Sequence, residues 1–275
     1  MSKIQIHPTS QARLDTMLAD LPQSLIISGS DGIGLTAITD YIGSKLSTPV
    51  QTLLPEKDEK VDIEKGTITV DSVRRLYDMT KTIETNRRII VIDYAERMAA
   101  TAQNAFLKRL EEPSLRTHFI LLSHDPSRFL PTILSRAQHF ELQPITAEQS
   151  NELLDELKVH DVQKRSQLLF MASGLPAKLT KLVNDDVYFA TQVQIVRDAR
   201  QFLQGSVYDR LVIAQSYKDD RFGALTMITN ALKLVESNVA QGKSELLPAI
   251  DSLLKAYGRI EANGNVRLQL AAAMV

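Results

Sequence analysis

The sequence contains no cysteine. Disulfides and thiolate-bound metals are therefore excluded. It also lacks a charge excess of either sign: 32 basic residues stand against 33 acidic ones, a net charge of −1. That balance provides no field strong enough to drive nucleic-acid binding alone, so any contact with DNA must come from local patches or from partners. No apolar run approaches the roughly 20 residues that span a bilayer. The opening stretch, residues 1–15, has no apolar core of the signal-peptide kind. A soluble, cytoplasmic protein with no membrane partner is the expectation. What the chain does have is size and apolar content. Its 275 residues allow two or three small domains, and 44% hydrophobic residues can build real cores.

Residues 24–28, Ser-Leu-Ile-Ile-Ser, form a short apolar run of the length of a buried strand. Gly29-Ser30-Asp31-Gly32-Ile33-Gly34 follows, and then a helical pattern carrying Ile38 and Ile42. The order is strand, glycine loop, helix. Thr48 to Gly66 is polar, holds Pro49, Pro55 and the charged run Glu56 to Lys60, and is expected to be a loop or exposed insertion. Thr67 to Val70 fits a short strand, with Asp71 as N-cap of the next helix. Further strands are expected at Ile89–Ile92, His118–Leu122 and His139–Leu142, with a helix from Thr101 to Glu112 and Pro113 beyond it. Strands alternating with helices imply a parallel sheet with helices on both faces. Ligands in such sheets bind at the carboxyl ends of the strands, where Gly29, Asp93 and Ser123 fall. After Pro144 the strand signal stops. Small helices are expected over 146–183, with Leu153, Leu154, Leu157 and Val162 on their pattern. From Asp186 the chain reads as helical to its end, with Ile213, Leu225, Ile228, Leu232, Leu246, Ile250, Leu253 and Leu254 in suitable windows. The expected fold class is therefore α/β plus all-α, divided into an α/β domain over 1–144, a helical lid over 145–185 and a helical domain over 186–275.

Gly29, Gly34 and Thr36 have the spacing of a phosphate-binding P-loop, Gly-x4-Gly-Lys-Thr, with Gly32 inside it and Leu35 in place of the lysine. Backbone N–H groups of such a loop and the helix N-terminus favour phosphate, the lysine reaches the β- and γ-phosphates, and the threonine binds Mg²⁺. Without the lysine, phosphate charge is left unneutralised. A plain glycine turn between strand and helix remains an alternative. Ile89 to Asp93 has the form of a Walker B strand, whose aspartate helps to hold Mg²⁺. Tyr94 stands where hydrolysing relatives of this motif place the glutamate that orients water, and Glu96 is two residues further on. Alone, this strand reads equally as a buried strand ending in a capping Asp. Together, the two altered sites argue that hydrolytic chemistry has been lost. His118, His124 and His139 have no ligand spacing, so no metal site is expected.

Gln103 to Pro113 resembles the Asn-Ala-Leu-Leu-Lys-x-Leu-Glu-Glu-Pro helix of bacterial clamp loaders, which are AAA+ proteins. Phe119 to Pro126 is similar to their sensor 1 strand. Leu130 to Ala137 resembles their Ser-Arg-Cys segment, with Ser135 and Arg136 present and Ala137 in place of cysteine. Ile68 to Arg74 is similar to their Ile-x-Val-Asp-x-Val-Arg segment, and Glu261 to Leu268 to a segment of their collar domain. The ATPase subunits, gamma or tau, keep the P-loop lysine, an Asp-Glu pair and a sensor 2 arginine. Here Leu35, Tyr94 and Gly174-Leu175-Pro176-Ala177 replace them, which resembles the delta-prime type.

That resemblance implies a non-hydrolysing subunit with a degenerate P-loop at Gly29, Gly32, Gly34, Thr36 and Asp93. Nucleotide binding is expected to be weak or absent. The resemblance further implies a collar shared with gamma/tau and delta, and action on the sliding clamp and primer-template DNA through the complex. Arg136, with Ser135, would act in trans on a neighbour's ATP; a structural salt bridge to Glu141 is the alternative. An alternative is an active gamma/tau-like ATPase in which Arg109 or Arg128 replaces the lysine. A free-standing DNA-binding module is disfavoured by the balanced charge. One feature common in the resembled subunits, a four-cysteine zinc module, has no counterpart here.

Structural zinc needs Cys or His ligands, and Thr48 to Gly66 contains neither. The chain is therefore expected to fold without zinc. Chelator should leave its Tm unchanged. Stoichiometric zinc in metal analysis, with unfolding on chelation, would contradict this.

Overall fold

The computed structural model describes residues 5–63, 65–80, 87–111, 116–243 and 245–273. They fold as two compact units, Met1–Thr180 and Lys181–Val275.

The first unit opens with helix α1 (Pro8–Ala19), strand β1 (Ser24–Ser28) and helix α2 (Leu35–Lys45). Strand β2 (Val50–Leu53) and a hairpin of β3 (Glu56–Lys57) and β4 (Lys60–Val61) follow. Helix α3 (Val70–Thr80), strand β5 (Arg88–Ile92), helix α4 (Ala100–Glu111) and strand β6 (Thr117–Ser123) come next. Then come the short helix α5 (Pro131–Leu134), strand β7 (Gln138–Glu141), helices α6 (Ala147–Glu156) and α7 (Val162–Ala172), and helix α8 (Pro176–Asn184), whose residues from Lys181 on belong to the second unit. The main sheet has the order β2-β5-β6-β1-β7, and every pairing in it is parallel.

Alternation along each central strand builds two cores, because successive side chains point to opposite faces. Leu25, Ile27, Ile89, Val91, Ile120 and Leu122 pack on one face with Leu14 of α1 and Ile38 and Ile42 of α2. Ile26, Ile90, Ile92, Phe119 and Leu121 pack on the other with Val73 of α3, Phe106 of α4 and Ile133 of α5. Burial on both faces is why these strands are continuous apolar runs.

Several expectations are corrected. The stretch expected as a loop over Thr48 to Gly66 contains β2, an edge strand paired with β5 from Val50↔Ile89 to Leu53↔Ile92. Gln51 and Thr52 are exposed, as an edge strand allows, and this polarity conceals it in the sequence. The charged run folds as the β3–β4 hairpin, turning through Asp58 (φ 50°) and Glu59 (φ 62°). Two successive left-handed residues match the twist of a two-residue hairpin. Within the same stretch, Glu64 lies outside the described residues. Thr67 to Val70 forms only isolated bridges, Glu56↔Thr67 and Ile68↔Met98. Helix α3 already includes Asp71, and the Thr69 hydroxyl, not Asp71, accepts the Ser72 N–H at 3.3 Å. The helix expected over Thr101–Glu112 spans Ala100–Glu111, and Glu112 and Pro113 lie outside the described residues. Val162, expected on an apolar face, is 80% exposed at the start of α7, because Asp161 caps that helix and turns its first residue outward.

The second unit contains α9 (Asp186–Gln204), α10 (Val207–Ser216), α11 (Arg221–Ala240), α12 (Ala249–Glu261) and α13 (Val266–Ala272). Ser206 starts α10 with a capping box, and Asp220 and Asn265 cap α11 and α13. Phe202, Ile213, Met227, Ile228, Val235, Leu253 and Ile260 are core. Leu225, Leu232, Leu246 and Ile250 pack against it, whereas Leu254 is exposed. The Tyr217 hydroxyl donates to Asp198 at 2.8 Å. Arg221 donates to the Ile260 carbonyl and to Asn263 at the end of α12.

Phe106 is 1% exposed and meets Phe119 edge-on at 5.2 Å. Phe106→Ala should lower unfolding free energy by about 3–5 kcal/mol. Urea unfolding followed by circular dichroism measures it, and a loss below about 1 kcal/mol would contradict the packing described.

Candidate functional site

The carboxyl ends of β1, β5 and β6 bring the polar residues of the first unit together. After Ser28 the chain leaves β1 through Gly29, whose N–H donates to the Ser123 carbonyl at 3.3 Å. The Gly29 carbonyl in turn accepts from His124 Nδ1 at 2.8 Å. Gly32 (φ 87°) and Gly34 (φ 94°) adopt left-handed conformations that side-chain-bearing residues rarely take. Gly34 is the N-cap of α2 and supplies no side-chain cap. The loop thus has the backbone form that the glycine spacing predicts.

Its side-chain chemistry is different. Leu35 is 3% exposed and belongs to the core beside β1. Where a P-loop lysine would extend to phosphate, this residue anchors the first turn of α2. Thr36 Oγ1 donates to Asp93 Oδ2 at 3.1 Å, and the Tyr94 N–H donates to Asp93 Oδ1 at 2.9 Å. Both carboxylate oxygens of Asp93 are therefore engaged within the protein. Burial pushes the Asp93 carboxyl above its usual value, against the hydrogen bonds from Tyr94 and Thr36 and the nearby His124, which pull it down. Tyr94 (φ 52°) heads a 3-10 turn over Ala95–Arg97 and sets its ring edge-on to His124 at 5.8 Å. Arg97 lies 6.0 Å from the same ring centroid. Glu96 follows in that turn, and its Oε2 is buried without a hydrogen-bond partner among the described residues. Ser123, fully buried, accepts the Asp125 N–H at 3.1 Å. Beside the loop, Ser28 Oγ and His139 Nε2 are 2.7 Å apart.

One contributor escapes the motif reading. The start of α8 meets the glycine loop: the Lys178 N–H donates to the Gly32 carbonyl at 3.0 Å. A Cβ on Gly32 would stand 2.6 Å from that of Lys178, and one on Gly34 would lie 3.6 Å from that of Ala177. Burial lowers the readiness of the Lys178 ammonium to hold its proton, opposed by Asp31. Its sequence signal is adjacency to Gly174-Leu175-Pro176-Ala177, a segment already singled out by resemblance.

Arg136 and Ser135 lie elsewhere, in the turn after α5. Arg136 forms an ion pair with Glu111 of α4 at 2.9 Å, not with Glu141, and its side chain stays 37% exposed. It also donates to the Thr132 carbonyl at 3.1 Å and to Ser135 Oγ at 3.3 Å. Of the two arginines considered as lysine replacements, Arg128 is held by Asp125 at 3.0 Å. Arg109 is half-buried on α4. Among the described residues, no group of three or more histidine and carboxylate side chains is arranged to hold a metal. No described helix is long and apolar enough to cross a membrane.

Residues 20–146 match the profile of the family described as "DNA polymerase III, delta subunit". The delta' subunit of DNA polymerase III from Pseudomonas aeruginosa is 34% identical over 158 residues, covering 56% of this chain and 46% of that protein. The delta' subunit from Bacillus subtilis is 30% identical over 116 residues, covering 42% of this chain and 34% of that protein. The matches thus span less than half the length of these relatives. The fold is similar to that of a DNA polymerase III gamma subunit-related protein from Thermotoga maritima, with a TM-score of 0.53 over 94% of this chain and 96% of that one, at 18% identity.

Asp93 binds its proton more tightly in the folded chain than in the unfolded one, where its value is near 3.8. The stability it contributes is therefore fully present below that value and is lost as pH rises through the higher folded value. Asp93→Asn carries no titrating charge and should gain on the parent as pH rises from about 3 to about 7. A constant offset from the lost oxygen acceptor is superimposed. Thermal melts across that range test this; a difference that does not vary with pH would contradict it.

Proposed function

We propose that this chain is a delta-prime-type subunit of a DNA polymerase III clamp loader, an AAA+ protein, and that it works in the cytoplasm as a non-hydrolysing member of such a loader. The family match over residues 20–146 and the similarity to delta' subunits support this reading. It assembles with gamma/tau and delta subunits and, through the complex, places the sliding clamp on primer-template DNA. It holds no zinc and binds nucleotide weakly or not at all. The α/β domain over 1–144 and the lid over 145–185 serve the neighbour's site, and the helical domain over 186–275 serves assembly.

The observation that carries this reading is the contrast between two cationic positions. At position 35 the expected lysine is a buried leucine, so the loop has lost its reach toward phosphate. At position 136 an arginine is exposed, aimed by Glu111 and by the Thr132 carbonyl. An always-charged planar guanidinium suits the γ-phosphate of a neighbour's ATP. The Thr36–Asp93 hydrogen bond supports the same reading, since the two groups that would hold Mg²⁺ satisfy one another. Support for assembly comes from α10, where Val207, Tyr208, Leu211 and Val212 are all more than half exposed. Apolar side chains gathered on one helix mark interaction surfaces.

The test is reconstitution with gamma, delta and the clamp. The isolated chain should release phosphate from ATP at background. Arg136→Ala should leave assembly intact and lower clamp- and DNA-stimulated ATPase of the complex. Trans arginines can supply about 10³–10⁵ in rate in GTPases, and a smaller loss is expected where several sites share the work. A mutant complex that assembles and hydrolyses normally would refute the trans role. Turnover by the unmodified chain, abolished by Thr36→Ala, would instead establish an active ATPase.

A further inference from the structure

At the amino ends of β5 and β6, the opposite ends of these strands from the glycine loop, lies a cavity of about 400 Å³. Asp20, Leu21, Gln23, Arg87, Arg116 and His118 line it. The two arginines come from equivalent places. Arg87 directly precedes β5, Arg116 directly precedes β6, and the Arg88 N–H donates to the Arg116 carbonyl at 2.9 Å. Neighbouring strands are about 4.8 Å apart, so two guanidinium groups issue side by side. Among the described residues neither has an ion-pair partner, although Asp20 shares the lining.

His118 supplies a buried element. It is only 6% exposed, and its Nδ1 lies 3.0 Å from the Pro22 carbonyl. A carbonyl only accepts, so Nδ1 carries the hydrogen. Nε2 is left with no hydrogen-bond partner among the described residues. The Gln23 amide adds further donor capacity. Two arginines against one aspartate leave the lining net positive.

We propose that this cavity binds a phosphate group. Paired guanidinium forks and the Gln23 amide offer more donors than a flat carboxylate can use, and His118 Nε2 can accept the hydrogen of a protonated phosphate oxygen. A tetrahedral anion with several oxygens engages both forks at once. Phosphate of this chemistry reaches the protein either as a free anion or as the backbone of a nucleic acid.

Calorimetric titration of the full chain at low ionic strength decides the matter, with inorganic phosphate as the first probe. Saturable binding is expected, competed by sulfate and not by chloride. Arg87→Gln with Arg116→Gln should weaken it by about tenfold or more, since each charge-assisted bond contributes on the order of one decade. The melting temperature should not change, because both side chains are exposed. If the double variant fails to fold, Arg116→Gln alone is read in the same way. Absence of saturable binding, or equal affinity in the variant, overturns the proposal. A second titration uses single-stranded oligothymidylate. Binding tighter than inorganic phosphate, lost in the same variant, supports the site with backbone phosphate as its source. Oligonucleotide affinity no better than that of phosphate, equally lost, supports it with the free anion as its source.

Discussion

Everything at the candidate site depends on the burial of β1 from both sides. A parallel strand enclosed by β6 and β7, and covered on each face by helices, has no room for polar side chains along its middle. Leu25, Ile26 and Ile27 are fully buried for that reason. Polarity can resume only where the strand ends. Ser28, the glycine loop, Asp93 and Ser123 are therefore gathered at one rim, each at the carboxyl end of a strand held in register with its neighbour. The rim exists because the core forbids these groups anywhere else.

At that rim the left-handed glycines, the helix N-terminus and the threonine–aspartate pair lie together. Leucine at position 35 turns to the core and strengthens the packing of α2, whereas a lysine would spend its length outward. The carboxylate of Asp93, with both oxygens occupied by Thr36 and the Tyr94 N–H, acts as a joint between the start of α2 and the end of β5.

Much of this was legible in the sequence. Continuous apolar runs identified β1, β5 and β6, because strands buried on both faces leave no alternative composition. Glycine spacing located the loop, since left-handed backbone at positions 32 and 34 tolerates little else. Other features were not legible. Edge strand β2 carries exposed polar residues between two prolines and looks like a loop by any local measure. Its place is set by backbone pairing with β5, which leaves no mark on composition. The ion pair of Arg136 with Glu111 joins groups 25 positions apart in sequence, and nothing local distinguishes Glu111 from Glu141 as the partner. Lys178 meets the glycine loop through its main chain, an interaction that does not depend on its being lysine.

The two edges of the sheet have a consequence for the company the protein keeps. Free strand edges recruit other strands through main-chain hydrogen bonds, indifferent to side-chain identity. Here both edge strands, β2 and β7, are only four residues long. Pro49 precedes β2, Pro55 lies just past its end, and Pro144 follows β7. Proline has no N–H to offer an incoming strand. Main-chain recruitment is thus curtailed at both margins. Any association is then left to surfaces whose side chains can tell one partner from another.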